Sequence, residues 1–283
     1  MNSTYQKMEQ TDVKARLYIN APLAAGAVIA LPSDQMHYLL HVLRLNPGTV
    51  IGVFNGVDGE FNASISVVAK KQCSITIADQ RRRQINCRDL WLLFAPVKKA
   101  RLDFIAQKAS ELGVRVIWPV KTDYCQISRV NDDRLAANAI EAAEQTERLD
   151  IAEIRSFDAF HDVLTACDDD RLLIWCDEAS AGHPALNITA ALAAAPPHDK
   201  AAILIGPEGG FSPAERHYLQ TRINCLKISL GPRILRADTA AISALSCYQS
   251  ICGDWQSYPF NLAETGLSDL CHHGLNAKGK PHG

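Results

Sequence analysis

Ala201-Ala-Ile-Leu-Ile-Gly206-Pro207-Glu208-Gly209-Gly210-Phe211-Ser212-Pro213-Ala214-Glu215 is the stretch that decides the fold. A wholly apolar run reads as a strand buried on both faces, and it enters a loop of three glycines and a proline. The loop leads into a helix start specified three times over. Ser212 suits the N-cap, Pro213 the first helical position and Glu215 the third position of a capping box. A loop at the carboxyl end of a parallel strand is the usual ligand position in an open α/β sheet, where glycines let backbone amides approach a ligand. Glu208 is expected to be buried among those glycines, which is costly unless it meets a ligand or partner. The plainer alternative is a tight strand-to-helix turn with no ligand.

Downstream, Ile228-Ser229-Leu230-Gly231-Pro232-Arg233-Ile234-Leu235-Arg236-Ala237-Asp238-Thr239-Ala240-Ala241 repeats the grammar of strand, glycine loop and helix, now with arginines. Two such loops at one sheet edge could hold a ligand between them. Equally, Arg236 and Asp238 could pair near the helix start, with Asp238 serving the macrodipole. Upstream, Trp91 to Ala95 reads as a buried strand. Lys98 to Leu112 carries apolar residues on one helical face and ends at Gly113, and Val114 to Val120 is the next strand. Strand-helix-strand units favour a parallel sheet with right-handed crossovers. Further elements are expected as a helix from Asp132 to about Leu149, strands at 172–176, 201–206 and 226–230, and a helix from about Thr239 to Cys252.

Residues 16 to 80 follow a different pattern. Short alternating runs at 16–19, 27–31, 50–54, 61–68 and 73–77 are separated by Asn46-Pro47-Gly48 and Asn55-Gly56-Val57-Asp58-Gly59, which is hairpin chemistry. They predict a small β-barrel or sandwich with one helix near Ser33 to Leu43. Gln80-Arg81-Arg82-Arg83-Gln84 then reads as a linker or a phosphate-facing edge.

The chain has 283 residues, 47% hydrophobic and 21% charged, a globular composition with room for a large core. No run is apolar enough for a bilayer, and the N-terminus lacks a basic start before an apolar core, so a cytoplasmic protein is expected. Nine scattered cysteines without a CxxC pair fit a reducing compartment, and Cys271-His272-His273 lacks a second ligand cluster, so no metal is expected. The net charge of −2 hides an asymmetry: residues 1–121 hold 16 Lys and Arg against 9 Asp and Glu, the remainder 13 against 22. A basic N-terminal part suits one region that meets a polyanion. GxGxxG, GxxxxGK[ST] and HExxH are all absent, which disfavours a Rossmann dehydrogenase, a P-loop NTPase and a zinc hydrolase.

Four stretches taken together resemble the RsmE family of 16S ribosomal RNA uracil-N3 methyltransferases in the SPOUT superfamily. They are Lys98-Lys99-x-Arg101-x-Asp103 with Ala109-Ser-Glu-Leu-Gly113, Glu141-Ala-Ala-Glu-Gln145-x-x-Arg148, Gly206-Pro-Glu-Gly-Gly-Phe-Ser212 and Leu230-Gly-Pro-Arg-Ile-Leu-Arg236. Leu39-Leu-His-Val-Leu-Arg44 with Phe54-Asn-Gly56 resembles that family's PUA-like barrel. The resemblance implies an α/β fold: a C-terminal SPOUT parallel sheet with a deep trefoil knot over 85–255, preceded by a small N-terminal PUA-like RNA-binding β-barrel over 15–84. Residues 1–14 would be an extension and 256–283 a tail.

It further implies S-adenosylmethionine bound by Ile205, Gly206, Gly209, Gly210, Leu230, Gly231, Ile234 and Leu235, with Arg236 beside the methyl group and Glu208 a candidate proton acceptor. Arg16, Arg44, Arg81, Arg82, Arg83, Lys98, Lys99, Gln145 and Arg148 would meet RNA. A homodimer acting on 16S rRNA or the small ribosomal subunit is expected. Ala237-Asp238 departs from the Thr-Glu more usual in the family, and Ala152 from a proline. The alternatives are another SPOUT methyltransferase acting on tRNA or a ribose 2'-OH, and a ribosome-assembly RNA-binding protein without catalysis.

Overall fold

The computed structural model describes residues 13–69 and 72–256. Most of the expected extension 1–14 and tail 256–283, with Cys271-His272-His273, lies outside the described residues. In the N-terminal part, β1 (Arg16–Tyr18), β2 (Val28–Ala30), β3 (Val50–Phe54), β4 (Glu60–Ala69) and β5 (Gln72–Arg82) form one sheet in the order β1-β3-β4-β5-β2. β1 lies parallel to β3, and the other pairs are antiparallel. Alternate residues such as Leu17, Ile51, Ala63 and Ile75 point to one core, the period-2 signal of a half-buried sheet. The expected helix over 33–43 is split into α1 (Ser33–His37) and a π-helical turn, Tyr38–Val42. That turn closes with Leu43 N–H donating to Tyr38 O at 2.9 Å and carries Leu39 fully into the core. Arg81 and Arg82 correct the linker reading, because β5 runs on through them and both reach Glu60.

The C-terminal part contains β6 (Asp89–Phe94), α2 (Lys99–Glu111), β7 (Val116–Lys121), α3 (Asp132–Gln145), β8 (Glu153–Ile154), β9 (Asp158–Ala159), α4 (Phe160–Ala166), β10 (Leu172–Cys176), α5 (Ile188–Ala193), β11 (Lys200–Ile205), α6 (Pro213–Thr221), β12 (Cys225–Ile228) and α7 (Ala237–Ile251). The sheet order is β12-β10-β11-β6-β7-β8, with β9 also on β7, and every pair is parallel. Both faces are covered. Leu90, Leu92 and Phe94 pack with α2, α3, α5 and α7, while Trp91 and Leu93 pack with α4 and α6. This two-sided burial is why the strands read as unbroken apolar runs. α3 ends four residues short of the expected Leu149, because Glu147 turns the chain at φ 60° and sends Arg148 inward.

Arginines close helix C-termini, where unpaired carbonyls carry partial negative charge. Arg16 donates to Ala143 O at 2.7 Å and Glu144 O at 3.1 Å at the end of α3. Arg148 donates to Ser110 O at 2.7 Å in the last turn of α2, and Arg88 to Cys252 O at 2.8 Å after α7. Arg16 also binds Glu60 at 2.6 Å, so one guanidinium fastens the N-terminal sheet to α3.

Candidate active site

β11 delivers Gly206 to the carboxyl edge of the sheet, and the chain folds back so that Phe211 packs beneath it. A Cβ on Gly206 would lie 2.7 Å from the Phe211 ring, so the turn requires glycine. The capping box forms: Glu215 N–H donates to Ser212 Oγ at 3.3 Å, and Ser212 N–H to Glu215 Oε2 at 2.8 Å. Asp123 anchors the same box from the loop after β7, accepting from Ser212 Oγ at 2.5 Å and donating its N–H to Glu215 Oε1 at 2.9 Å. Buried Glu215 is thus fully engaged.

The loop after β12 arrives at the same edge. Gly182 N–H donates to Gly231 O at 2.9 Å, and Ser229 N–H to Leu186 O at 2.6 Å, so a third segment, 177–187, is laced to it. The three segments enclose a cleft of about 780 Å³ measured to its open mouth. Ile205, Gly206, Leu230, Gly231, Ile234 and Leu235 line it as expected, together with Glu208 and Arg236. Gly209 and Gly210 do not line it. The Cα of Gly209 faces Tyr124, and Gly210 backs onto Glu178.

Cys176, Asp177, Glu178 and Ala181 complete the wall without having been expected. Their one signal in the sequence is position: they follow a buried strand, as the two glycine loops do. Asp177 is fully buried and takes ion pairs from Arg216 and from Lys227, the latter at 2.9 Å. Burial pushes its carboxyl up, but hydrogen bonds from Lys227, Arg216 and Ser180 outweigh that and hold it below the usual carboxylate range.

Glu208 is a correction. Its side chain is 62% exposed rather than buried, and Arg101 Nη1 donates to it at 2.9 Å. Arg101 also lies 4.0 Å from Asp238 Oδ2, so one guanidinium from α2 stands between the two glycine loops. The considered Arg236–Asp238 pair does not form: Asp238 accepts from Thr239 N–H at 2.9 Å. The side chain of Arg236 is exposed at the mouth with no hydrogen-bond or ion-pair partner among the described residues.

The expected RNA contacts divide. Arg44, Arg83 and Lys98 are exposed and unpaired among the described residues. Gln145 is exposed along a groove between α3 and α1. The side chain of Lys99 lies outside the described ones. Arg16, Arg81 and Arg82 converge on buried Glu60, and Arg148 is buried on Asp150 at 2.9 Å. Those four are structural cations here, each already committed to a carboxylate. No cluster that could hold a metal ion occurs among the described residues, and none of their helices is long and apolar enough to cross a membrane.

Comparison with known proteins follows the same division of the chain. Residues 83–249 match a family model described as an RNA methyltransferase domain, and residues 31–78 one described as an RNA methyltransferase PUA domain. A ribosomal RNA small subunit methyltransferase E of Rickettsia conorii is 36% identical, over 82% of this chain and 93% of that protein. A putative methyltransferase from Legionella pneumophila, solved in complex with the bound cofactor SAM, superposes with a TM-score of 0.73 at 32% identity, covering 85% of this chain and 98% of that one. A ribosomal RNA small subunit methyltransferase E from Neisseria gonorrhoeae, bound to S-adenosyl methionine, has the same fold, with a TM-score of 0.73 at 24% identity over 85% of this chain and 99% of its own. With one family model spanning more than half the chain and a relative above 30% identity along most of it, the chain belongs to the RNA methyltransferase family that contains the ribosomal RNA small subunit methyltransferases E.

Proposed function

We propose that the protein methylates N3 of a specific uridine in 16S ribosomal RNA with S-adenosylmethionine as methyl donor. The observation that carries the reading is the cleft at the carboxyl edge of the sheet, walled by two glycine loops, with the unpaired Arg236 at its mouth. The cleft fits the cofactor chemically. Ile205, Leu230, Leu235 and Ala240 offer an apolar wall for an adenine, and Ile234 stands 77% exposed at the lip, an apolar side chain awaiting cover. The cofactor supplies an activated methyl group on a sulfonium leaving group. The protein's task is orientation and management of charge.

N3 of uracil becomes nucleophilic only when its imide proton leaves, which spreads negative charge onto the flanking carbonyl oxygens. Arg236 meets that charge as it develops, an oxyanion-hole role that needs a guanidinium not already spent on a carboxylate. Glu208, exposed and held by Arg101, is placed to take the proton, with water as the other acceptor. RNA is drawn by Arg44, Arg83 and Lys98, and the target base leaves its stack to reach the cleft.

The deep trefoil knot is part of the same proposal. A homodimer and a cytoplasmic location belong to the same proposal. The test is methylation of 16S rRNA from cells lacking the protein, followed by nucleoside identification. The 3-methyluridine product supports the reading, whereas a ribose-methylated nucleoside or no product overturns it.

A further inference from the structure

We infer that Glu178 is a cofactor-recognition residue of the cleft, and that Gly210 is glycine in order to make room for it; the inference rests on the functional reading above. The cleft contains three carboxylates. Asp177 has its oxygens committed to Arg216, Lys227 and Ser180. Glu208 is open to water at the mouth and tied to Arg101. Glu178 differs from both, because its side chain is only 30% exposed, it lines the cleft, and its Oε1 accepts from Arg216 Nη2 at 2.6 Å. Its Oε2 has no hydrogen-bond partner among the described residues. A half-sheltered carboxylate oxygen on a cleft wall is an acceptor in need of a donor.

Gly210 supports this placement from behind. It sits at φ 69°, and a Cβ there would collide with Oε1 of Glu178 and come within 3.3 Å of Arg216 Nη2. The second glycine of the Gly209-Gly210 pair therefore lets the Glu178–Arg216 pair close, and it acts on the cofactor through that pair. S-adenosylmethionine offers three donor groups of matching chemistry, the adenine amino group, the ribose hydroxyls and the α-ammonium.

The experiment is calorimetric titration of the full chain with S-adenosylhomocysteine, which has all three donors, and with methylthioadenosine, which keeps the adenosine donors and lacks the ammonium. Glu178→Ala leaves Arg216 with Asp177 and the Phe211 carbonyl, so the fold keeps its other bonds, and an unchanged melting temperature verifies this. Loss of one charge-assisted hydrogen bond weakens binding roughly 10- to 100-fold. If both ligands weaken equally, the donor belongs to the adenosine they share, its ribose hydroxyls or its adenine amino group. If only S-adenosylhomocysteine weakens, it is the ammonium.

Gly210→Ala should weaken binding as well, and the double variant should bind no worse than Glu178→Ala alone, since the glycine acts through the carboxylate. Additive losses would give Gly210 a separate role and overturn that half of the inference. Unchanged affinity of well-folded Glu178→Ala for both ligands overturns the other half while leaving the functional reading in place. If the wild-type chain binds neither ligand, the functional reading falls, and this inference with it.

Discussion

Replacing Glu60 with Gln tests the junction between the two parts of the molecule. The Glu60 side chain is 1% exposed and takes Arg16 and Arg82, each at 2.6 Å, from opposite sides. Removing one partner of a buried ion pair costs about 3–5 kcal/mol, because the remaining charge stays buried. The lower end applies here. Arg82 is 25% exposed, so water recovers part of its loss, and Arg16 keeps three backbone acceptors on Ala143, Glu144 and Arg148. At about 3 kcal/mol, and roughly 2–4 °C per kcal/mol for a chain of this size, the melting temperature should fall roughly 6–12 °C. Burial pushes the Glu60 carboxyl up, but hydrogen bonds from Arg82 and Arg16 outweigh it and hold it below its ordinary value. A carboxyl depressed in the folded state contributes stability above its unfolded value, about 4.3, and that contribution is lost as the pH falls through the folded value. The gap between wild type and Glu60→Gln, followed by calorimetric melting, should therefore be full at pH 7 and shrink below about pH 4. A variant that melts within 2 °C of wild type at pH 7, or a gap that widens in acid, would refute the argument.

Arg236→Ala should lower turnover roughly 100-fold or more while leaving S-adenosylmethionine affinity within about threefold, read by single-turnover methylation and calorimetry. Normal turnover would remove Arg236 from the mechanism. Arg101→Ala should free Glu208 and Asp238 together and raise the RNA KM more than it changes cofactor affinity, with Arg101→Lys restoring part of the loss. Ser212→Ala should cost about 1–2 kcal/mol, since it removes the N-cap of α6 and the bond to Asp123; chemical denaturation measures this directly. Each of Arg44→Ala and Lys98→Ala should reduce the slope of log affinity for RNA against log salt by about one, whereas Arg148→Ala should destabilise the protein without the same change in slope.

The parallel sheet was legible because two-sided burial writes itself as unbroken apolar runs, and the run at Leu172–Cys176 is strand from end to end as expected. The start of α6 was legible for a different reason: three capping signals agree within four residues. Helix ends were harder. No motif marks Glu147 as the residue that turns with positive φ, since the turn serves a contact between Arg148 and the distant Ser110, with Asp150 two residues on completing it. α5 was hidden in a run of alanines whose helical face is set by packing against α7. The site was legible where backbone shape defines it, at Gly206 and Gly231. It was illegible where a side chain from a third loop enters, because Asp177-Glu178 forms no motif with either glycine turn.

Arginine-paired carboxylates also explain two glycines that a motif search misreads. Gly52 lies inside β3, where glycine weakens a strand, yet a Cβ there would stand 2.9 Å from Oε1 of Glu60. Gly210 stands in the same relation to Glu178. In both places a charged side chain must lie against backbone to reach its arginine, and only glycine leaves the space. The same pairing bears on the basic N-terminal part, residues 1–121. Arg16, Arg81 and Arg82 add to its count of positive charge, but Glu60 and the end of α3 occupy them, so little of their field is available to a phosphate. In the proposed function, attraction for RNA therefore falls to cations with no carboxylate of their own, Arg44 on the N-terminal sheet domain, Arg83 between the two parts and Lys98 at the start of α2. Arg236, whose side chain is likewise unpaired at the cleft mouth, is the cation that the proposed function reserves for the charge that arises only while the base reacts.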